Sequence, residues 1–273
     1  MQNTLRFALN HMVAPKISAE ALFRTARRLG AEGVEIRNDL PGSAIADGTT
    51  ASDIRAAVAA HGILLLSINA LQRFNDWTPE RAEEAEWLSD YASACGAEAL
   101  VLCPVNDPSD IVSGHAQIHR LQFALAALRP ILADRQIVGL VEPLGFATSS
   151  LRRKRDAVEA IEATGGGTIF RLVHDTFHHE IAGETEIFAR QTGLVHISGV
   201  EERNVSLSSM RDSHRVLVGP QDRLKNIDQI KSLLDGGYSG FLSFEPFAEN
   251  LHAITDIDPR IRESIAYLKA ALE

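Results

Sequence analysis

The sequence predicts a single (β/α)8 barrel, and three observations carry that prediction. Short apolar runs rich in branched residues alternate with amphipathic stretches from one end to the other, with no linker between them. There are eight such beats in 273 residues, about 34 residues each, close to the roughly 250 residues of a typical barrel. Several beats also enter their strand through the same glycine punctuation.

The expected strands lie at residues 5–9, 33–37, 64–69, 99–103, 137–142, 170–175, 194–197 and 240–245. Between them, Ala85, Leu88, Ala92 and Cys95 recur at helical spacing, and so do Ile261, Ile265, Leu268 and Leu272. The segments beginning Leu29-Gly, Ala94-Cys-Gly and Asp235-Gly-Gly each place glycine where a helix ends in a left-handed cap before a buried strand. An open doubly wound sheet permits the same alternation. However, no GxGxxG follows the first strand, and Gly165-Gly166-Gly167 closes a helix instead of opening one. The domain expectation is therefore one barrel over residues 1–273.

Composition narrows the function. Thirty-six acidic against 27 basic residues give a net charge of −9, which disfavours a polyanion such as nucleic acid. Two cysteines, Cys95 and Cys103, are too few for a disulfide framework and too widely spaced for a CxxC site. The N-terminal segment lacks the apolar core of a signal peptide, and no apolar run approaches a membrane span. The expectation is a cytoplasmic protein with a metal or small-molecule site and no membrane partner.

Barrel chemistry occupies the C-terminal ends of the strands, so polar residues there mark the site. Glu142 ends the fifth strand, Asp175 the sixth, His196 lies in the seventh and Glu245 ends the eighth. Taken alone, a strand-end carboxylate is more often a helix cap or an arginine partner. Three carboxylates and an imidazole on consecutive strands instead point to one divalent ion, with Mn, Zn, Co or Mg all compatible with oxygen and nitrogen donors.

His178 follows Asp175 by three residues and is placed to reach a substrate on the metal. Arg215, within the long connection 199–225, is the loop cation expected to fold inward, and a connection that long suggests a lid. Arg37 and Asn69 end the second and third strands as candidate hydroxyl-binding donors, with Asn10 and His11 weaker candidates. His179 is expected to face solvent, His174 to lie on the other side of its strand, and Cys103 to be a small buried thiol. Phe74 and Trp77 are expected either to cover a sugar face or to join a subunit contact.

These residues together resemble the xylose-isomerase-like TIM-barrel superfamily and, within it, the inosose (2-keto-myo-inositol) isomerase branch of inositol catabolism. Gly33-Val-Glu-Ile-Arg37, Leu66-Ser-Ile-Asn-Ala-Leu71, Asp175-Thr-Phe-His178, Val195-His-Ile197, the 212–219 segment with Arg215, and Ser243-Phe-Glu-Pro-Phe247 carry the resemblance. It implies metal ligands at Glu142, Asp175, His196 and Glu245, substrate contacts at His178 and Arg215, and proton transfer by Glu142 and Glu245 through an enediolate. The implied substrate is a polyol ketone or ketose. Pro246 and the segment 216–220 depart from the family pattern near the substrate-covering wall, which bears on the substrate more than on the metal.

Within the same superfamily, ketose 3-epimerases and hydroxypyruvate-type isomerases are alternatives. A nuclease of the endonuclease IV type needs extra histidine ligands on the early strands, where this chain has Arg37, Asn69 and Cys103. A non-catalytic sugar-binding barrel is a third class, and homo-oligomerisation is compatible with all of these readings.

Overall fold

A computed structural model describes residues 5–41, 45, 47–110 and 114–272, so the ends of the expected 1–273 span lie outside the described residues. Eight parallel strands close into a barrel in sequence order: β1 (Arg6–Asn10), β2 (Gly33–Arg37), β3 (Leu64–Gln72), β4 (Ala99–Cys103), β5 (Val138–Val141), β6 (Phe170–Asp175), β7 (Thr192–Ile197) and β8 (Phe241–Phe244). Closure runs through β1 and β8, where Arg6 pairs with Phe241 and Leu9 with Phe244. The helices are α1 (Ala19–Leu29), α2 (Ala51–His61), α3 (Pro79–Cys95), α4 (Gly114–Arg135), α5 (Lys154–Ala163), α6 (Thr176–Ala182), α7 (Asn226–Asp235), α8 (Glu249–His252) and α9 (Asp258–Leu272). Among the described residues, no helix is long and apolar enough to cross a membrane.

The strands fall where the apolar runs predict, with β3 three residues longer than expected. Its pairing with β4 shifts register between Ile68 and Leu71, where the Asn69–Ala70 peptide is cis. Gly30 and Gly96 cap α1 and α3 in the left-handed conformation, at φ 74° and 83°. After α7 the positive φ falls one residue later, on Gly237.

Strand alternation divides the core in two. Outward-facing residues such as Val34, Leu100, Leu172 and Val195 pack against the helices, including Ala85, Leu88 and Ala92 of α3 and Ile261 and Leu268 of α9. Inward-facing Ala8, Val101, Leu140, Val173, Leu194 and Phe241 fill the barrel. Each fully buried aliphatic side chain contributes about 1.5–3 kcal/mol, so this inner plug is a rigid floor. Two residues further along the same strands come Asn10, Cys103, Glu142, Asp175 and His196, and Glu245 lies four beyond Phe241. Period-two geometry thus aims these polar groups inward above the plug.

Candidate metal centre

Glu142, Asp175, His196 and Glu245 each offer one ligand atom, and these atoms all lie within 4.8 Å of one another. All four residues are buried, His196 completely. His196 Nδ1 lies 2.9 Å from Glu142 Oε1 and 3.3 Å from Glu245 Oε2. Asp175 also plays both of the roles a lone strand-end carboxylate usually takes. Its Oδ1 accepts the His178 backbone N–H at 2.9 Å and so caps α6, while its Oδ2 accepts from Arg215 at 2.7 Å.

Arg215 does fold inward from the long connection, and its side chain is essentially inaccessible to solvent. Its Nη2 donates to both Asp175 and Glu245, the latter at 2.9 Å, its Nε donates to Ser198 Oγ, and Asp212 pairs with Nη1. The connection is ordered, with two short 3-10 turns, Leu207–Ser209 and Asp212–His214, and an antiparallel bridge between Gly199 and Val216. Asp222 fastens its far end by accepting the backbone N–H groups of Val200, Leu224 and Asn226.

Glu245 is the most heavily held of the carboxylates. Its Oε1 accepts from Arg37 at 2.9 Å, Asn10 at 3.2 Å and Asn69 at 3.4 Å. Arg37 and Asn69 thus direct donors at a carboxylate of the cluster, and Arg37 also grips Asp39 through two bonds. Burial would raise the Glu245 carboxyl, but His196, Arg215 and Arg37 hold it well below the ordinary range. Glu142 has fewer donors among the described residues: the Cys103 thiol, whose Sγ donates to Oε2 at 3.5 Å, while His196 Nδ1 lies 2.9 Å from Oε1. Cys103 is buried as expected, and burial together with Glu142 pushes its thiol well above the usual range.

His178 is buried, edge-on to Phe146 and Phe177, and its Nδ1 has no partner among the described residues. Gly145 permits that position, because a Cβ there would lie 2.2 Å from the His178 carbonyl oxygen. Phe247 covers the two arginines, its ring centroid 4.5 Å from Arg215 Cζ and 5.6 Å from Arg37 Cζ.

Glu35, which the strand-end pattern does not single out, is completely buried and sits within the same cluster. It accepts from Ser67 at 2.7 Å, from Ser243 and from Asn10 at 3.4 Å, and it lies 3.2 Å from His196 Nε2. The available signal was parity: Glu35 and Arg37 are two apart on one strand and so share a face.

Two other expectations are corrected. His179 does not face solvent: it is buried, and its Nδ1 lies 2.8 Å from Lys154 Nζ. Phe74 covers no ligand, being fully enclosed in the outer core, and Trp77 packs half-buried against the same core. His11 is buried, with Nε2 held by the Ile17 carbonyl at 2.9 Å. His174 does lie on the other side of β6, bonded to Gln229 of α7 at 2.8 Å.

The donor set fits a dication on charge alone. Glu35, Glu142, Asp175 and Glu245 are four buried carboxylates against two buried guanidiniums, Arg37 and Arg215, which leaves two negative charges with His196 neutral. Asp39 and Asp212 are 37% and 45% exposed, so water stabilises them. Burial alone would lower the His196 imidazole, but Glu245, Glu35 and Glu142 together push it well above its ordinary value. A proton there still leaves one negative charge. Three oxygens and one imidazole nitrogen suit a hard or borderline divalent ion and rule out a cysteine-type zinc site.

Known proteins share this architecture. A xylose isomerase domain containing protein from Salmonella typhimurium LT2 is 35% identical, with a TM-score of 0.88 over 98% of this chain and 97% of that one. An IolI protein solved with a zinc atom gives a TM-score of 0.84 at 18% identity over 98% of both chains. D-Psicose 3-epimerase from Clostridium cellulolyticum H10, solved with D-tagatose, gives 0.74 at 15% identity over 98% of this chain and 100% of that one. At those lower identities the likeness is one of fold. No curated protein sequence matches the chain. The family model described as xylose isomerase-like TIM barrel matches residues 23–271, and with the 35% identity along nearly the whole length this places the chain in the xylose isomerase-like TIM barrel family.

Proposed function

We propose that the chain is a divalent-metal-dependent isomerase of polyol ketones or ketoses, with 2-keto-myo-inositol as its substrate. The observation that carries this reading is the buried convergence of Glu142, Asp175, His196 and Glu245, in a nest with two more carboxylates than guanidiniums. The inosose assignment draws on the sequence resemblance and on the fold shared with the IolI protein over nearly all of both chains.

Moving a carbonyl to the neighbouring carbon requires a C–H proton to leave beside the ketone and return one carbon away. A bound divalent ion supplies Lewis-acid stabilisation of charge on the substrate oxygens. The residues of the chain do the rest. Glu142 and Glu245 exchange the proton, and their unequal surroundings divide the work. Glu142, with fewer fixed donors around it among the described residues, takes the proton. Glu245, locked by Arg37, Asn10, Asn69 and Arg215, is chiefly a fixed anion. His178 presents the unpartnered Nδ1 to a substrate hydroxyl, and Arg215 stabilises charge developing on oxygen. Arg37 and Asn69 add donors at the same rim.

Incubation with 2-keto-myo-inositol, fructose and hydroxypyruvate in D₂O, each with added Mn²⁺ or Zn²⁺, tests the reading. Deuterium entering 2-keto-myo-inositol with formation of its isomer is the expected result. Exchange at C3 of fructose alone would favour a ketose 3-epimerase, the activity named for two structures of the same fold. No exchange into any of the three would overturn the assignment.

A further inference from the structure

We infer that Glu35 is the positioning residue that fixes which nitrogen of His196 faces the metal: it accepts the Nε2 proton and leaves the Nδ1 lone pair directed at the cluster. The assignment rests on the metal-site reading above and adds a residue outside the ligand set.

Both ring nitrogens face carboxylates, but only Nδ1 faces those of the ligand set. His196 Nδ1 points toward the ligand oxygens, 2.9 Å from Glu142 and 3.3 Å from Glu245, whereas Nε2 lies 3.2 Å from Glu35. A neutral imidazole carries one proton, and the nitrogen that carries it cannot ligate. Whichever group accepts that proton therefore determines the ligating atom.

Glu35 is built as that acceptor. It is completely buried, and the hydroxyls of Ser67 and Ser243 and the amide of Asn10 direct donors at its two oxygens. Its neighbours come from β1, β3, β7 and β8, which ties the imidazole plane to four strands of the barrel. An anion at Nε2 also makes Nδ1 a stronger donor, and losing such partners typically weakens metal binding about 10–100-fold.

The test is a zinc titration in competition with a chromophoric chelator, on the wild-type protein and on Glu35→Gln, together with ¹H–¹⁵N NMR of the zinc-loaded wild-type protein labelled at histidine. The expected results are a zinc Kd about 10–100-fold weaker for E35Q, and a wild-type His196 protonated at Nε2 with Nδ1 unprotonated. A titration of E35Q within twofold of wild type, or a His196 proton found on Nδ1, would overturn the assignment. The resonance is read on the wild-type protein, so it decides the tautomer even where the substituted chain does not fold. A wild-type protein that binds no zinc overturns the metal reading and this inference with it. Tight wild-type binding with the wrong tautomer overturns this inference alone.

Discussion

Two nests of buried charge lie on opposite faces of β6. On the inner face, Asp175 joins Glu35, Glu142, Glu245, His196, Arg37 and Arg215. On the outer face, His174 meets Gln229, and Lys154 of α5 lies between His179 of α6 and Glu184, 2.5 Å from the glutamate. Both are shielded from water and heavily hydrogen-bonded. The outer nest holds one cation and one anion, and its imidazoles are neutral: burial with Lys154 drives His179 down to about 3 and His174 well below its usual range. The inner nest holds four carboxylates against two guanidiniums. Burial is common to both, so excess charge distinguishes a site awaiting a ligand from a polar cluster that only braces the fold.

The largest expected effect is on the inner side. Glu142→Gln or Glu245→Gln should keep the fold, read by circular dichroism, and lower turnover about 10²–10⁴-fold. Near-wild-type activity in both would erase the distinction between the nests. The matching change on the outer side is Lys154→Met, which strands Glu184 and should cost about 3–5 kcal/mol of stability in urea unfolding. Zinc affinity should stay within twofold of wild type. Adding Glu184→Leu should restore much of that stability, since a balanced pair can be replaced by apolar groups.

Arg215→Lys keeps the charge but removes the fork that reaches Asp175, Glu245 and Ser198 together. The loss of charge-assisted bonds worth about 1.5–3 kcal/mol should lower kcat/KM about 10–100-fold. The smallest effect is on pH. The folded His179 sits at about 3 against an unfolded value near 6.5, so only the unfolded chain takes up the proton in between. Its contribution is complete above pH 6.5 and is lost as pH falls toward 3, about 1.4 kcal/mol per unit. Chelator-treated His179→Gln should show a flatter acid limb than chelator-treated wild type in urea midpoints between pH 7 and 5.

Much of the inner nest was legible because strand ends are short-range features: Glu142, Asp175, His196 and Glu245 each follow an apolar run that places them on the rim. Arg215 was legible as the cation before an apolar segment within a long connection. What escaped depended on contacts between distant elements. Glu35 lies inside a strand and becomes part of the site only because Ser67 and Ser243 approach it from β3 and β8. Lys154 stands in the run Arg152-Arg-Lys-Arg155, which looks like a solvated face, yet it is 3% exposed. His179 is enclosed because α6, only seven residues long, is buried along most of its length, with Lys154 of α5 against His179 and Gln229 of α7 bonded to the Thr176 carbonyl. The extra length of β3 reflects pairing with β4 beyond Asn69, which no local pattern announces.

The inner nest has two more carboxylates than guanidiniums, an excess that a dication neutralises when His196 binds it as the neutral imidazole. Isothermal titration of the chelator-treated protein with Mn²⁺ and Zn²⁺, with metal content measured after dialysis, tests it most directly. One ion per chain is expected, with an unfolding temperature that rises with metal and loss of that binding in Asp175→Asn and Glu245→Gln. Absence of stoichiometric binding, or binding unchanged in both variants, would contradict it.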